Sequence, residues 1–325
     1  MRILFGGKVF ERLWEFIEPL FAGHELQAAD KDRFPEVLPW AEVLITPPMK
    51  IDASLLDYGN NLRLLHQWGT GVEGIDLEAC AARNIPVCNV PSRGTGNAES
   101  VAEFALLLMM LLARRWPRCQ ENLLKGRLHA PRGIALWQKR ACVVGLGNLG
   151  ECLVERLLGM GMMVRGVNRT LKEEFSHWGL ENVYPLDRLE EAVEDCDFVL
   201  PALPLSPETF HLMNARIFRA MHSRAFLVNV ARGDVVHPGD LEEALHKKII
   251  AGYATDVFWK EPVDPEHPLL KLPNVIVTPH VAGVTDASNR GIASYVAANI
   301  HRLETGEPLL SRMDKPNTEQ GGVVS

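Results

Sequence analysis

Three short segments place chemically capable side chains directly after apolar, strand-like runs: Asn229-Val230-Ala231-Arg232-Gly233, Asp256-Val257-Phe258-Trp259-Lys260-Glu261-Pro262 and Thr278-Pro279-His280-Val281-Ala282-Gly283. In open α/β sheets ligands bind beyond the carboxyl ends of the strands, so the three segments are placed to converge on one reacting centre. An arginine, a glutamate and a histidine together suit the reduction of a 2-keto acid. Hydride delivery to the carbonyl carbon leaves an alkoxide that needs a proton, and a histidine with an ordinary pKa near ~6.5 supplies it. A glutamate on the other ring nitrogen would orient the imidazole and stabilise its charged form. An arginine would grip the substrate carboxylate and polarise the carbonyl. Each residue also has a structural reading: Arg232 as a surface ion pair, His280 as a core histidine bonded to backbone, Glu261 as a turn former before Pro262, Asp256 as the cap of the turn after its strand.

A hydride donor is signalled by Gly145-Leu146-Gly147-Asn148-Leu149-Gly150, which matches G-x-G-x-x-G. Alone the pattern is weak, but here it follows an apolar strand, opens a helix and precedes a second strand, the setting of a dinucleotide-binding turn. Gly145 makes the tight turn, Gly147 lets the backbone approach a pyrophosphate, and Gly150 lets the helix pack on the strand. The helix start, with Asn148 and Leu149, then meets the negative charge. At the end of the second strand, about 20 residues on, NAD-binding sites carry an acidic residue for the ribose 2′-hydroxyl. This chain has Val167-Asn168-Arg169-Thr170. With no carboxylate there to repel a 2′-phosphate, Arg169 can pair with it while Asn168 and Thr170 hydrogen-bond its oxygens. NADP is therefore favoured over NAD. The bland reading is that Arg169 stacks on the adenine and selects nothing.

The elements that must position these groups follow from the pattern of apolar runs. Arg2–Phe5, Val43–Thr46, Leu62–His66 and Val87–Val90 read as strands, with helical stretches at Phe10–Leu20 and Leu77–Ala82. A loop, Pro91 to Gly96, leads to a helix capped by Asn97 that runs to about Trp116 and stops at Pro117. A second alternating series starts after Trp137: strands at Ala141–Gly145, Met163–Val167, Phe198–Leu203, Ala225–Val230, Ile250–Asp256 and Val275–Thr278, with a helical repeat at Leu149, Leu153, Leu157 and Met160 and another at Pro238–His246. The fold class is α/β, two lobes with parallel sheets.

At 325 residues the chain suits two domains. Lys and Arg number 34 against 41 Asp and Glu, a net charge of −7, so neither nucleic acid nor an anionic membrane is an expected partner. Phe104–Ala113 is the longest uninterrupted apolar run and is too short to cross a bilayer, which takes ~20 residues. The start of the chain has no signal-peptide core, so a cytoplasmic location is the expectation. The six cysteines are dispersed without a C-x-x-C pair, and no metal site is expected. They read as small buried hydrophobes. Arg114, Arg115 and Arg118 read as a solvated helix end. The low-complexity stretch Ser311–Ser325 is expected to be mobile.

Several motifs in order, Gly69-Thr70-Gly71-Val72, Asn97-Ala98-Glu99-Ser100-Val101-Ala102-Glu103, the glycine turn, Leu203-Pro204-Leu205-Ser206-Pro207 and the three polar segments, give a chain that resembles the D-isomer-specific 2-hydroxyacid dehydrogenases from about Val43 to Gly306. The resemblance implies that Arg232 binds substrate, that His280 is the acid/base and contacts substrate, and that Glu261 is its partner. It further implies that Asp256 contacts the nicotinamide carboxamide, and that Thr70, with the backbone at Gly71 and Val72, faces substrate and nicotinamide. Pro204, Val230, Ala231 and Gly283 match positions lining the cofactor, and Met49 and Lys50 fall in a substrate-side loop. Two departures stand out: Leu136-Trp137-Gln138-Lys139-Arg140 is bulkier and more basic than the family's usual short polar segment, and Asn168 replaces the acidic cofactor residue.

The resemblance also implies a discontinuous arrangement. Residues 1–96 and 283–325 would form a substrate-binding lobe, flavodoxin-like, into which a Rossmann-like cofactor domain, 97–282, is inserted. The active site would then lie in the cleft between them, and a homodimer is implied, with the Asn97–Trp116 helix at its interface. Glyoxylate or hydroxypyruvate would be reduced to the D-2-hydroxy acid. A dinucleotide-sensing regulatory protein of the same fold, or a dehydrogenase of formate or phosphite, is the alternative. Because the chain ends soon after the helix near Ala293–Glu304, no regulatory domain is expected.

Overall fold

The computed structural model describes residues 1–314. The chain divides into two compact units, Met1–Asn97 together with the segment from Thr285, and Ala98–Val284. The first unit holds five parallel strands, β1 (Arg2–Gly6), β2 (Glu25–Ala29), β3 (Val43–Thr46), β4 (Leu64–Gln67) and β5 (Val87–Cys88), in the order β2-β1-β3-β4-β5. Strand β1 alternates between two cores. Ile3 and Phe5 pack with Ile292, Val296 and Ile300 of the helix Asp286–Thr305, while Leu4 packs with Phe34 and Leu38 on the opposite face. A strand buried on both faces must be apolar at every position, which is why these strands read as continuous hydrophobic runs.

The second unit holds β6 (Arg140–Val144), β7 (Met163–Asn168), β8 (Asn182–Pro185), β9 (Phe198–Pro201), β10 (Phe226–Asn229), β11 (Gly252–Thr255) and β12 (Val275–Val277), ordered β12-β11-β10-β9-β6-β7-β8 with every pair parallel. Ala141 and Val143 face one core, Cys142 and Val144 the other. Strand order reverses between β6 and β9, the switch point where α/β sheets open a ligand crevice beyond the strand ends.

Four local expectations are corrected. Phe10–Leu20 is not one helix but 3-10 turns at Lys8–Leu13 and Glu18–Leu20 around a single α-turn, Trp14–Ile17, because Pro19 cannot continue a helical ladder. The helix begun at Asn97 ends at Ala113; Arg115 turns to the left-handed region at φ 53°, and Pro117 opens a second helix, Trp116–Leu124, where a missing N–H costs nothing. Strands β2 and β8 were not anticipated. The first residues of the expected mobile tail are ordered: Met313 N–H donates to Val87 O at 2.8 Å and Arg312 bridges to Cys88. The rest of that tail, residues 315–325, lies outside the described residues.

The first unit is further tied by His66, fully buried on β4. Its Nδ1 lies 3.0 Å from Gln67 O, which can only accept, so Nδ1–H donates and Nε2 is left to accept from Asn299 Nδ2 at 3.0 Å. Asn299 in turn accepts from Leu310 N–H at 2.7 Å, joining β4, the C-terminal helix and the chain beyond it. Of the six cysteines, Cys80, Cys88, Cys142 and Cys196 are buried and all are free thiols. Among the described residues no helix is long and apolar enough to cross a membrane, and no group of three His, Cys, Asp or Glu is placed to hold a metal ion.

Candidate active site

The glycine turn joins β6 to the helix Asn148–Gly159. Gly145 sits at φ +107°, and a Cβ there would lie 2.6 Å from Ala202 O; a Cβ at Gly150 would lie 2.0 Å from Gly145 O. These two glycines are demanded by the protein's own packing. Gly147 is different: its backbone is extended (φ −89°, ψ −162°), open to any residue, and a Cβ would meet nothing within 4 Å. Its bare backbone therefore opens space at the start of a helix that has no side-chain cap, which fits the diphosphate of a dinucleotide.

Beside this turn a cavity of about 330 Å³ opens beyond the ends of β6, β7 and β9, lined by Gly145, Asn168, Arg169, Thr170, Leu203 and Pro204. Asn168 is committed to the turn itself: its Oδ1 accepts from Leu146 N–H at 3.1 Å and its Nδ2 donates to Thr170 O at 2.7 Å. Arg169 is exposed on the rim. Sequence reasoning missed Lys172, Ser206, Glu208 and Thr209, which line the same cavity. The spacing Ser206-Pro207-Glu208-Thr209 was the available signal, since a serine three residues before a threonine favours a side-chain-braced turn.

The three polar segments follow β10, β11 and β12, neighbours in the sheet. After β10, the buried Asn229 shapes the turn, donating from Nδ2 to Arg232 O at 2.9 Å and accepting from Ala231 N–H at 3.0 Å; Val230 and Ala231 are buried beneath it. A Cβ at Gly233 would fall 2.3 Å from the Phe258 carbonyl, so the Arg232 turn rests directly on the backbone that follows β11. Glu261 uses both oxygens. Oε1 accepts from Phe258 N–H at 2.9 Å and Oε2 lies 2.7 Å from His280 Nδ1. A carboxylate can only accept, so Nδ1 carries the hydrogen and Nε2 is the nitrogen turned away from Glu261.

His280 adopts φ +57°, a backbone conformation uncommon outside glycine. Asp256 holds it there. Its Oδ1 accepts from Thr278 Oγ1 at 2.6 Å and Val281 N–H at 2.9 Å, and its Oδ2 from Ala282 N–H at 2.7 Å. The carboxylate assigned by resemblance to the nicotinamide is thus spent largely on the loop that carries His280, just before Gly283.

Electrostatics reinforce the pair. The Glu261 hydrogen bond raises the His280 pKa above its ordinary value against the opposing effect of burial, with Asp256 adding to the rise and Arg232 working against it. Burial pushes the Glu261 carboxyl up, but the hydrogen bonds from His280 and Phe258 N–H and the charges of His280 and Arg232 together hold it below its usual range. The arrangement favours the protonated imidazole beside a carboxylate, with an arginine near enough to be felt by both.

Thr70, Gly71 and Val72 belong to the other unit. Their loop follows β4 and is fixed locally by Asn89 Nδ2 donating to Thr70 O at 2.6 Å and Ile75 N–H donating to Val72 O at 2.9 Å. In that unit Met49 packs against the core, and Lys50 pairs with Asp52 at 3.4 Å.

The family model for the D-isomer specific 2-hydroxyacid dehydrogenase, NAD binding domain, matches residues 106–282. The glyoxylate reductase of Korarchaeum cryptofilum is 34% identical over 81% of this chain and 79% of its own. The D-3-phosphoglycerate dehydrogenase of Archaeoglobus fulgidus is 31% identical over 87% of this chain, which spans only 53% of that relative's length. Among solved structures, the NADPH-dependent glyoxylate/hydroxypyruvate reductase of Sinorhizobium meliloti, in complex with NADP and malonate, superposes with a TM-score of 0.82 at 27% identity over 97% of each chain.

Proposed function

The chain belongs to the D-isomer specific 2-hydroxyacid dehydrogenases, oxidoreductases that use a nicotinamide cofactor, and from that premise we propose that it reduces a small 2-keto acid, glyoxylate or hydroxypyruvate, to the D-2-hydroxy acid with NADPH favoured over NADH. The observation that carries this reading is the 2.7 Å contact between Glu261 and a His280 whose pKa is raised. An acid that must give up a proton during reduction has to hold one near neutral pH, and this pairing makes the imidazole hold it.

The cofactor supplies the hydride. Arg232 pairs with the substrate carboxylate and draws charge toward the carbonyl oxygen. His280 delivers its Nε2 proton to that oxygen as charge develops. Glu261, fixed by Phe258 N–H, keeps Nδ1 protonated and the ring aimed, while Asp256 keeps the loop in place. Thr70, Gly71 and Val72 are assigned to the substrate by family resemblance. Support for NADP comes from Arg169 and from the absence of an acidic residue at the end of β7.

His280→Ala is expected to lower turnover by roughly 10²- to 10⁴-fold while leaving the dissociation constant for NADPH, read by nucleotide fluorescence, close to that of the parent protein. Near-normal turnover of glyoxylate and hydroxypyruvate in this variant would overturn the assignment.

A further inference from the structure

The cavity at the end of β7, where no carboxylate follows the strand, is bordered by a carboxylate from another loop. Glu208 lies on the loop after β9 and shares the cavity rim with Arg169, Thr170 and Ser206. Its placement is built. Ser206 Oγ donates to Glu208 Oε2 at 2.7 Å, and the turn beneath is braced by Thr209, whose Oγ1 accepts from Ser206 N–H at 2.7 Å and donates to Pro204 O at 2.7 Å. Thr209 is itself buried. The Ser206 hydrogen bond, and in smaller part the Arg169 guanidinium, hold the Glu208 carboxyl below its usual range, so it is anionic across the neutral range.

The charges at this rim decide what it accepts. Lys172 is committed to Glu174 at 3.1 Å. Arg169 makes no hydrogen bond or salt bridge among the described residues, and its positive charge faces the negative charge of Glu208 across the cavity. In dinucleotide folds the end of the second strand meets the 2′ position of the adenosine ribose. A phosphate monoester there brings a charge of about −1.5 to −2, which Arg169 attracts and Glu208 repels. A 2′-hydroxyl instead offers a hydrogen-bond donor, for which a carboxylate is the natural acceptor.

Resting on the dinucleotide reading above, we propose that Glu208 is a specificity-determining residue for the cofactor's 2′ position, disfavouring a 2′-phosphate and accepting from a 2′-hydroxyl in opposition to Arg169. The two residues pull in opposite directions, and the preference between NADPH and NADH is the small difference between them. Glu208 supplies from the β9 loop the acidic function that Asn168 cannot supply from β7.

The test is equilibrium binding of NADPH and of NADH, followed by nucleotide fluorescence without turnover, to the full chain and to Glu208→Gln, Glu208→Ala and Arg169→Ala. Both Glu208 variants are expected to bind NADPH about five- to tenfold more tightly and, for Glu208→Ala, NADH a few-fold more weakly, and the NADPH gain is expected to shrink at high salt as screening sets in. Unchanged NADPH affinity, or an equal change for both nucleotides, overturns the proposal and leaves Glu208 as a loop former. Arg169→Ala separates the two readings: greater loss of NADPH than of NADH supports phosphate recognition by Arg169, and equal loss removes that reading whatever the Glu208 variants show.

Discussion

At the scale of single residues, the chemistry rests on one hydrogen bond whose consequences can be followed by pH. In the proposed reaction reduction consumes a proton from His280, so its rate would hold at low pH and fall as pH rises through the His280 pKa. Glu261 raises that pKa, chiefly by its 2.7 Å hydrogen bond and then by its charge. Glu261→Gln removes the charge and keeps the shape. The alkaline fall in kcat/KM for reduction is then expected to move to lower pH, with a loss of roughly tenfold at neutral pH that is recovered in part on acidification. A profile that keeps its midpoint and merely drops in height would show Glu261 to be structural. The direction follows from the geometry: a carboxylate on Nδ1 can only favour the protonated ring, and the countervailing charge of Arg232 is too weak to reverse it.

At the scale of elements, a second histidine makes the opposite case. His66 on β4 is fully buried and burial lowers its pKa to about 4, because protonating Nε2 would destroy its acceptance from Asn299 Nδ2 and leave a cation in an apolar core. A group whose folded pKa lies below its unfolded value of ~6.5 contributes stability that is complete above ~6.5 and is lost as pH falls toward 4. The loss is on the order of 3 kcal/mol for the unit joined by β4, the helix Asp286–Thr305 and Leu310. Urea unfolding at neutral and mildly acidic pH, compared with His66→Gln, checks this: the variant should lose much of the parent's acid sensitivity, and an unaltered pH slope would refute it. What was legible in the sequence follows the same logic of burial. Strands sealed on both faces, β1, β3, β6 and β9 among them, announce themselves as apolar runs. Strands β2 and β8 end their sheets, with Glu25, Gln27 and Asn182 among their residues, and their partly exposed positions erase that signal. The residues that follow β10, β11 and β12 were readable because each polar group directly follows an apolar strand. Glu208 was not, since its place depends on how the β9 loop folds back toward β7.

At the scale of the whole molecule, exposed apolar surface is unevenly spread. Leu107, Met110, Trp116, Leu123, Leu124, Leu128, Ile134 and Trp137 account for eight of the seventeen large apolar side chains exposed among the described residues, all within one stretch of the chain. Leu124 is 88% exposed and Leu123 72%, on a short helix with no buried residue of its own. Such a helix buries none of its own residues, and adjacent exposed leucines on an acidic protein of net charge −7 are the kind of apolar surface a partner covers. A second copy of this chain is the occupant we propose, in line with the expectation from family resemblance. A two-fold contact would set this patch against itself, so that each substitution is felt twice. Sedimentation at micromolar concentration should return twice the chain mass of 36.2 kDa, and Leu123→Asp combined with Leu124→Asp should shift it to a single chain, since each aspartate would be desolvated against apolar surface. The residues assigned to the cofactor and the Glu261–His280 pair are not altered in that variant, so NADPH affinity is expected to hold while the mass halves. A parent chain that sediments at 36.2 kDa would sink the dimer, and the exposed leucines would then need a different partner to cover them.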